Sequence, residues 1–437
     1  MFTNILRISL FAMGLTLFLG SYTDVFGQRN VTFVHGLNGS SSSFAFTDNK
    51  LSTEYDISTR RISYSSDLPI STIAQNESSG ILSNSVVVAH SMGGIVSREM
   101  IRQGRGGRID ALITTGTPHL GAVIANTVNN GVAQYALALT AADVTVGWAR
   151  ACVVESWIPT ACNSLAEQIF QSLLRTGPLG VLIDSVEPYS DLRSTADLEV
   201  DSGFMTTLNN NPSSTLPSAH YAIYGTEQYW GSLRYLESIL QAGNSGNGSN
   251  TENGDAIRAW GSAAAVHLAL AYRYDRKARN AYDDYIQTGN ISYYYDYIDY
   301  LYVVDGFMIG FVSMVDWHHR RWDIVTGQIG SGAIAPSGVR VGGDALVATP
   351  SAAPNFISST RRIRANGGSG ANHTELVGPN GLNALRQAFA KPDVSVPEAS
   401  SGGGGDDPTF PDPIIRPPCR DQGQILCPLV RSPKKSE

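Results

Sequence analysis

Short apolar bursts alternate with segments of helical period through the first third of the chain. Val31–Val34 is a brief apolar run, and Asp56–Tyr64 alternates as a half-buried strand does. Ser85–Ala89 and Ala111–Thr115 are continuous apolar runs, as central strands covered on both faces require. A helix is expected over Ser91–Gln103, stopped by Gly104. Strands alternating with helices indicate a parallel sheet with crossover helices. The alternation then lapses. Asn126 to about Tyr189 is apolar with few charges and reads as mostly helical, and His220–Gly225 returns to the sheet. A connector of turn formers, S-G-N-G-S-N-T-E-N-G at 245–254, leads into a second helical block rich in aromatics, which includes 291–302, 307–311 and 317–322. Sheet-like sequence resumes around Asp344 and over Phe356–Arg364, and after Pro392 the chain turns Gly-, Asp- and Pro-rich. No internal repeat is present.

Composition narrows the class. The 437 residues are 42% hydrophobic and 16% charged, which suits a packed core. A formal net charge of -7 supplies no basic field, so nucleic acid is not an expected partner. The N-terminus carries one positive charge before an apolar run from Ile8 to Leu19, too short for a bilayer span of about 20 residues. It reads as an export signal over 1–27, with the mature chain starting near Gln28 and working in a secreted, periplasmic or cell-surface setting. Two local disulfides, Cys152–Cys162 and Cys419–Cys427, are the simplest pairing in an oxidising compartment.

Candidate chemistry begins where the 85–89 run ends. A-H-S-M-G at 89–93 is a small-x-Ser-x-small pattern at a strand-to-helix junction, the nucleophile elbow that presents a serine hydroxyl at the top of a sheet. Ser91 is the candidate nucleophile, with His90 and Gly93 supporting the turn. The Met92 N–H at the helix start is a candidate oxyanion donor. Upstream, H-G-L-N-G at 35–39 ends an earlier strand. The Leu37 amide is the second candidate donor, Gly36 lets substrate approach the main chain, and His35 orients the loop rather than exchanging protons.

A serine hydroxyl needs a base, and the base an orienting acid. Of eight histidines, His373 stands in a loop, G-G-S-G-A-N-H-T-E-L, after the last expected strand. Asp344, in R-V-G-G-D-A-L-V, is the candidate acid. Asp323 is the runner-up and is expected to pair with a neighbouring arginine. The order Ser91, Asp344, His373 is nucleophile, acid, base.

These motifs, together with T-T-G-T-P-H-L-G-A at 114–122, D-L-R-S at 191–194 and S-G-F-M-T-T-L-N at 202–209, resemble the α/β-hydrolase superfamily. Within it they are most similar to the bacterial triacylglycerol-lipase and GPI inositol-deacylase-like branch. The likeness spans about 30–122, 190–227 and 340–390. It implies an α/β-hydrolase fold, a mostly parallel sheet with helices on both faces and a large helical cap, with Ser91, Asp344 and His373 as triad and Leu37 and Met92 as oxyanion donors. Ala89 stands where the branch more often has Gly, and Ala345 where its acid motif has D-G-x-V. Some relatives bind a structural calcium near the histidine. Glu375 follows His373 by two residues but has no evident partner carboxylate, so no metal and no other cofactor is expected.

The catalytic domain is expected over 28–393, with cap insertions at about 123–190 and 243–330 and a disordered tail over 394–437. The expected function is an exported ester hydrolase acting on acylglycerols or related lipids, with transient contact with a lipid interface. An acyltransferase or amidase on the same triad, or a non-catalytic lipid-binding surface protein, remains a competing reading, and oligomeric state is left open.

Overall fold

The computed structural model describes residues 28–155, 192–227, 232–235, 255–365 and 370–399. The expected signal segment 1–27, the second half of the first insertion, and Cys162, Cys419 and Cys427 lie outside them. Cys152 is disulfide-bonded, to a partner likewise outside the described residues.

Six parallel strands form one sheet in the order β2-β1-β3-β4-β5-β6. They are β1 Arg29–Val34, β2 Ile57–Ile62, β3 Ser85–His90, β4 Ile109–Thr115, β5 Ala219–Tyr224 and β6 Arg362–Arg364. Every residue of β3 is buried, which explains its unbroken apolar run. Alternate side chains feed two cores. Val31, Phe33, Val86 and Val88 face α1 (Ala45–Glu54) and the last helix. Val34, Val87 and Ala89 face α2 (Ile70–Glu77) and α3 (Met92–Arg102). The chain leaves β1 toward β2 and leaves β3 toward β4. A crevice therefore opens between the ends of β1 and β3, where ligands of open α/β sheets bind.

The insertions are helical as expected. The first holds α4 (Val123–Asn129) and α5 (Val132–Val154), and the second holds α6 (Asp255–Thr288) and α7 (Ile291–Asp316). Gly289, at φ +68°, and Asn290, whose side chain accepts from Ser292 N–H, turn α6 back into α7. α5 and α7 are long and apolar enough to cross a membrane, but here α7 packs between α5 and α6. Gly147 makes the α5–α7 contact close, since a Cβ there would sit 2.6 Å from the Phe307 ring. At the foot of this bundle Trp260, Met314, Trp317 and Trp322 form one cluster with Ala345. The last helix, α8 (Pro379–Phe389), closes the sheet from the other side.

Three expectations change. Asp344 follows no strand; it sits in a tight turn bracketed by an isolated bridge from Gly343 to Ala348. The Asp344 carboxylate binds the Leu346 and Val347 amides, and that local capture displaces strand pairing. The strand expected over Phe356–Arg364 shrinks to β6, because Ser359–Arg361 forms a 3-10 turn. Packed chain also runs past 393. Val394 and Val396 are buried beside Phe389, and the Asp56 and Ala399 amides bond across to Pro397 and Glu54 carbonyls. Two valines hidden in an otherwise polar stretch account for the difference.

Ending the chain at Lys391 should therefore cost about 3–5 kcal/mol relative to a chain ending at Ala399, from the lost valine burial. Urea unfolding of the two truncations measures it.

Candidate active site

Ser91 is the hinge between β3 and α3, with φ 53° and ψ −127°, a conformation that costs a non-glycine residue strain. The surroundings hold it there. Its N–H donates to the Thr115 carbonyl at 2.9 Å, and its carbonyl accepts from Gly94 N–H at 3.1 Å. The turn is tight enough that a Cβ at Gly93 would overlap the carbonyls of Val34 and His35. A Cβ at Gly36 would lie 2.7 Å from Ser91 Cβ, so the H-G-L loop runs directly against the serine. Met92 is the first residue of α3, and its N–H is one of the amides a helix leaves without an internal partner.

His35 is bonded at both ring nitrogens. Its Nδ1–H donates to the Gly36 carbonyl at 2.8 Å and its Nε2 accepts from Tyr64 N–H at 3.1 Å. The Tyr64 ring stacks on the imidazole at 4.0 Å, and its hydroxyl donates to the His35 carbonyl. Burial lowers the His35 pKa. His90 is also buried, and desolvation with the neighbouring His373 pushes its pKa well below the ordinary value. It is therefore neutral, and its Nε2–H donates to the His373 carbonyl at 2.9 Å.

Asp344 and His373 meet twice. His373 Nδ1–H donates to Asp344 Oδ2 at 2.8 Å, and His373 N–H donates to the Asp344 carbonyl at 2.7 Å. The other carboxylate oxygen accepts from Leu346 and Val347 amides at 3.1 and 2.7 Å. A carboxylate at Nδ1 fixes the tautomer that leaves Nε2 bare. Asp323 is paired with Arg340, 17 residues on, rather than with an arginine beside it in the chain. Ala345, at φ +72°, occupies a left-handed position that favours glycine, and Trp322 Nε1–H fixes its carbonyl at 2.6 Å.

Ser91 and His373 line one cavity of about 150 Å³, with Leu37, Pro118, Ile124, Val128, Leu198 and Leu346 among its apolar walls. His90 reaches it as well, so Leu37, His90, Ser91 and His373 share this space at the carboxyl edge of the sheet.

Several contributors were not singled out in the sequence. A Cβ at Gly116 would lie 2.9 Å from Asp344 Oδ2 and 3.0 Å from His373 Nδ1, and one at Gly225 would meet Asp344 Cβ. Each is a glycine just past a strand, the signal that marks them. Arg234, Glu227 and Trp322 had no local signal. Glu375 binds the Arg234 guanidinium, as Glu227 does, an arrangement that does not suit a structural calcium. Among the described residues no group of three or more His, Cys, Asp or Glu side chains gathers in metal-binding fashion.

Residues 60–142 match a protein-family model described as "PGAP1-like alpha/beta domain". That segment contains β3, Ser91 and α3 and ends before Asp344. No curated protein matches the chain. Among solved structures it is similar to Bacillus licheniformis lipase BlEst2 in its mature form, at 17% identity over 50% of this chain and 75% of that one, with a TM-score of 0.30. The propeptide form gives 18% identity, 52% and 43% coverage and a TM-score of 0.28. The family match over residues 60–142 and the observed parallel sheet agree with the α/β-hydrolase fold read from the motifs.

Two outcomes follow from this geometry. Ala345→Gly should raise stability by about 0.5–1 kcal/mol in chemical denaturation, because glycine relieves the left-handed strain. The second concerns pH. His90 and His119 are held neutral by burial, with folded pKa values well below the unfolded value of about 6.5. Above that value both states are neutral and nothing changes. As pH falls below it, the unfolded chain takes up protons that the fold refuses. Stability should then drop by up to about 1.4 kcal/mol per pH unit for each histidine until the folded values are reached. Unfolding midpoints at pH 7.5, 6.5 and 5.5 test the slope.

Proposed function

We propose that the chain is an exported serine hydrolase of carboxylic esters, acting on acylglycerols or related lipid esters. The observation that carries this is the Nδ1–Oδ2 hydrogen bond between His373 and Asp344 beside a cavity that His373 shares with Ser91. In the proposed reaction His373 Nε2 takes the Ser91 proton as Oγ attacks the ester carbonyl, and the amides of Leu37 and Met92 stabilise the tetrahedral oxyanion. Asp344 stabilises the imidazolium. The C–O bond to the alcohol breaks as His373 returns the proton to the leaving oxygen. Water, deprotonated by His373, then attacks the acyl-enzyme and releases the acid and free Ser91. The elbow strain holds the hydroxyl where this attack can occur, and the apolar cavity accepts the acyl group. Export rests on the N-terminal apolar segment Ile8–Leu19.

A fluorophosphonate probe should label Ser91, and Ser91→Ala should abolish both labelling and ester cleavage. Absence of labelling with unchanged mutant activity would sink the mechanism. A 150 Å³ apolar cavity holds a benzene-sized group, so p-nitrophenyl esters with acyl chains of about four to eight carbons should turn over fastest. Asp344→Asn should lower kcat by about 10⁴-fold, while Asp323→Asn, at a carboxylate paired with Arg340, should change it little. The reverse pattern would reassign the acid. Faster transfer to an added alcohol or amine than to water would favour an acyltransferase.

A further inference from the structure

Arg234 belongs to the second insertion's approach rather than to the sheet, yet its side chain is 4% exposed and lies between two carboxylates that are 2% and 0% exposed. Its Nη2 donates to both oxygens of Glu375, at 2.9 and 3.0 Å, and its Nη1 donates to Glu227 at 2.8 Å. The backbone carbonyl of Arg234 also accepts from the Asn372 side chain at 3.3 Å. Arg234 therefore binds the residue before His373 and the residue two after it.

Glu375 passes the constraint on. Its Oε2 accepts from the Asn372 main-chain amide at 3.0 Å, and Asn372 Oδ1 in turn accepts from the amides of Thr374 and Glu375. The N-H-T-E turn is thus wound around the carboxylate that Arg234 holds. Glu227 faces the other way. Its N–H donates to the Gly343 carbonyl at 2.6 Å, one residue before Asp344, and it bridges to Gly370 at the start of the histidine loop.

We propose that Arg234 is a positioning residue for His373: by binding Glu375 and Glu227 at once, it holds the histidine loop and the Asp344 turn in one register. The proposal rests on the reading of His373 as the base for Ser91. A buried ion pair is weak evidence for stability, since an apolar set fills the same space as well. What an apolar set lacks is direction. A forked guanidinium with three fixed bonds sets the height of the loop, and a shift of about 1 Å in a catalytic group costs on the order of 100-fold in rate.

The test uses the full chain, with Arg234→Lys made alone and in a His373→Ala background. Lysine keeps the charge but cannot reach both carboxylates as a fork does. Expected is a lowered melting temperature that stays above the assay temperature, because one buried carboxylate loses its partner, with KM within about twofold and a kcat and a fluorophosphonate labelling rate each lowered about 10- to 100-fold. In the His373→Ala background the same substitution should change the residual rate less than twofold, because the residue it positions is gone. Parental kcat in Arg234→Lys, or an equal loss in both backgrounds, overturns the proposal. Should Arg234→Lys fail to fold, Glu227→Gln keeps the shape and removes one charge. A roughly fivefold fall in kcat at constant KM then supports the clamp, and parental kcat overturns it. A parent protein that neither labels at Ser91 nor cleaves esters overturns the hydrolase reading and the clamp with it. An active parent with an indifferent Arg234 overturns the clamp alone.

Discussion

Two loops outside the sheet ladder are fastened to each other by a side-chain and a backbone hydrogen bond, from His373 to Asp344 at 2.8 and 2.7 Å. Much of the site makes sense as a consequence of that contact. Gly116 and Gly225 lack side chains where any Cβ would push the two loops apart. His90 takes the His373 carbonyl from below, and Asp344 spends its second oxygen on its own turn. The sheet delivers Ser91 from β3 and the H-G-L loop from β1 to the same edge, so the crevice between those strands meets the fastened loops at the cavity.

The second insertion and the segment that leads to it reach into this arrangement. Trp322, at the foot of the α6–α7 bundle, holds the Ala345 carbonyl next to Asp344, and Arg234 binds the loop that carries His373. Segments that look peripheral in the chain thus support the orientation of two central side chains. Tyr235, one residue past Arg234, lines the cavity, so the same short segment touches both the loop support and the substrate space.

The legible part of the sequence was what local chemistry dictates. Buried strands read as runs of Val because both faces are covered, and the elbow read from small residues around Ser91 because a strained turn excludes larger ones. The Asp344 turn was misread as sheet because its shape comes from the Asp344 carboxylate capturing two amides, and from an indole 23 residues before the carbonyl it binds. Arg234 was invisible for a related reason: its partners lie 7 and 141 residues away, and no periodic pattern encodes a contact of that kind. Val394 and Val396 escaped notice because two apolar residues in a polar stretch carry little weight until the core they enter is known.

The strap over 394–399 has a consequence in time as well as space. It pairs with residues 54–56, near the start of the described chain, and buries its valines against α8. Contacts of such sequence separation form late, because the loop they close spans most of the polypeptide. A chain emerging N-terminus first from a ribosome or a translocation channel has Ser91 long before it has His373, α8 or the strap. Until then one face of its sheet has α1 against it but lacks α8. Any chemistry of the cavity is in this way deferred to the end of emergence, and the order of residues along the chain itself acts as the delay.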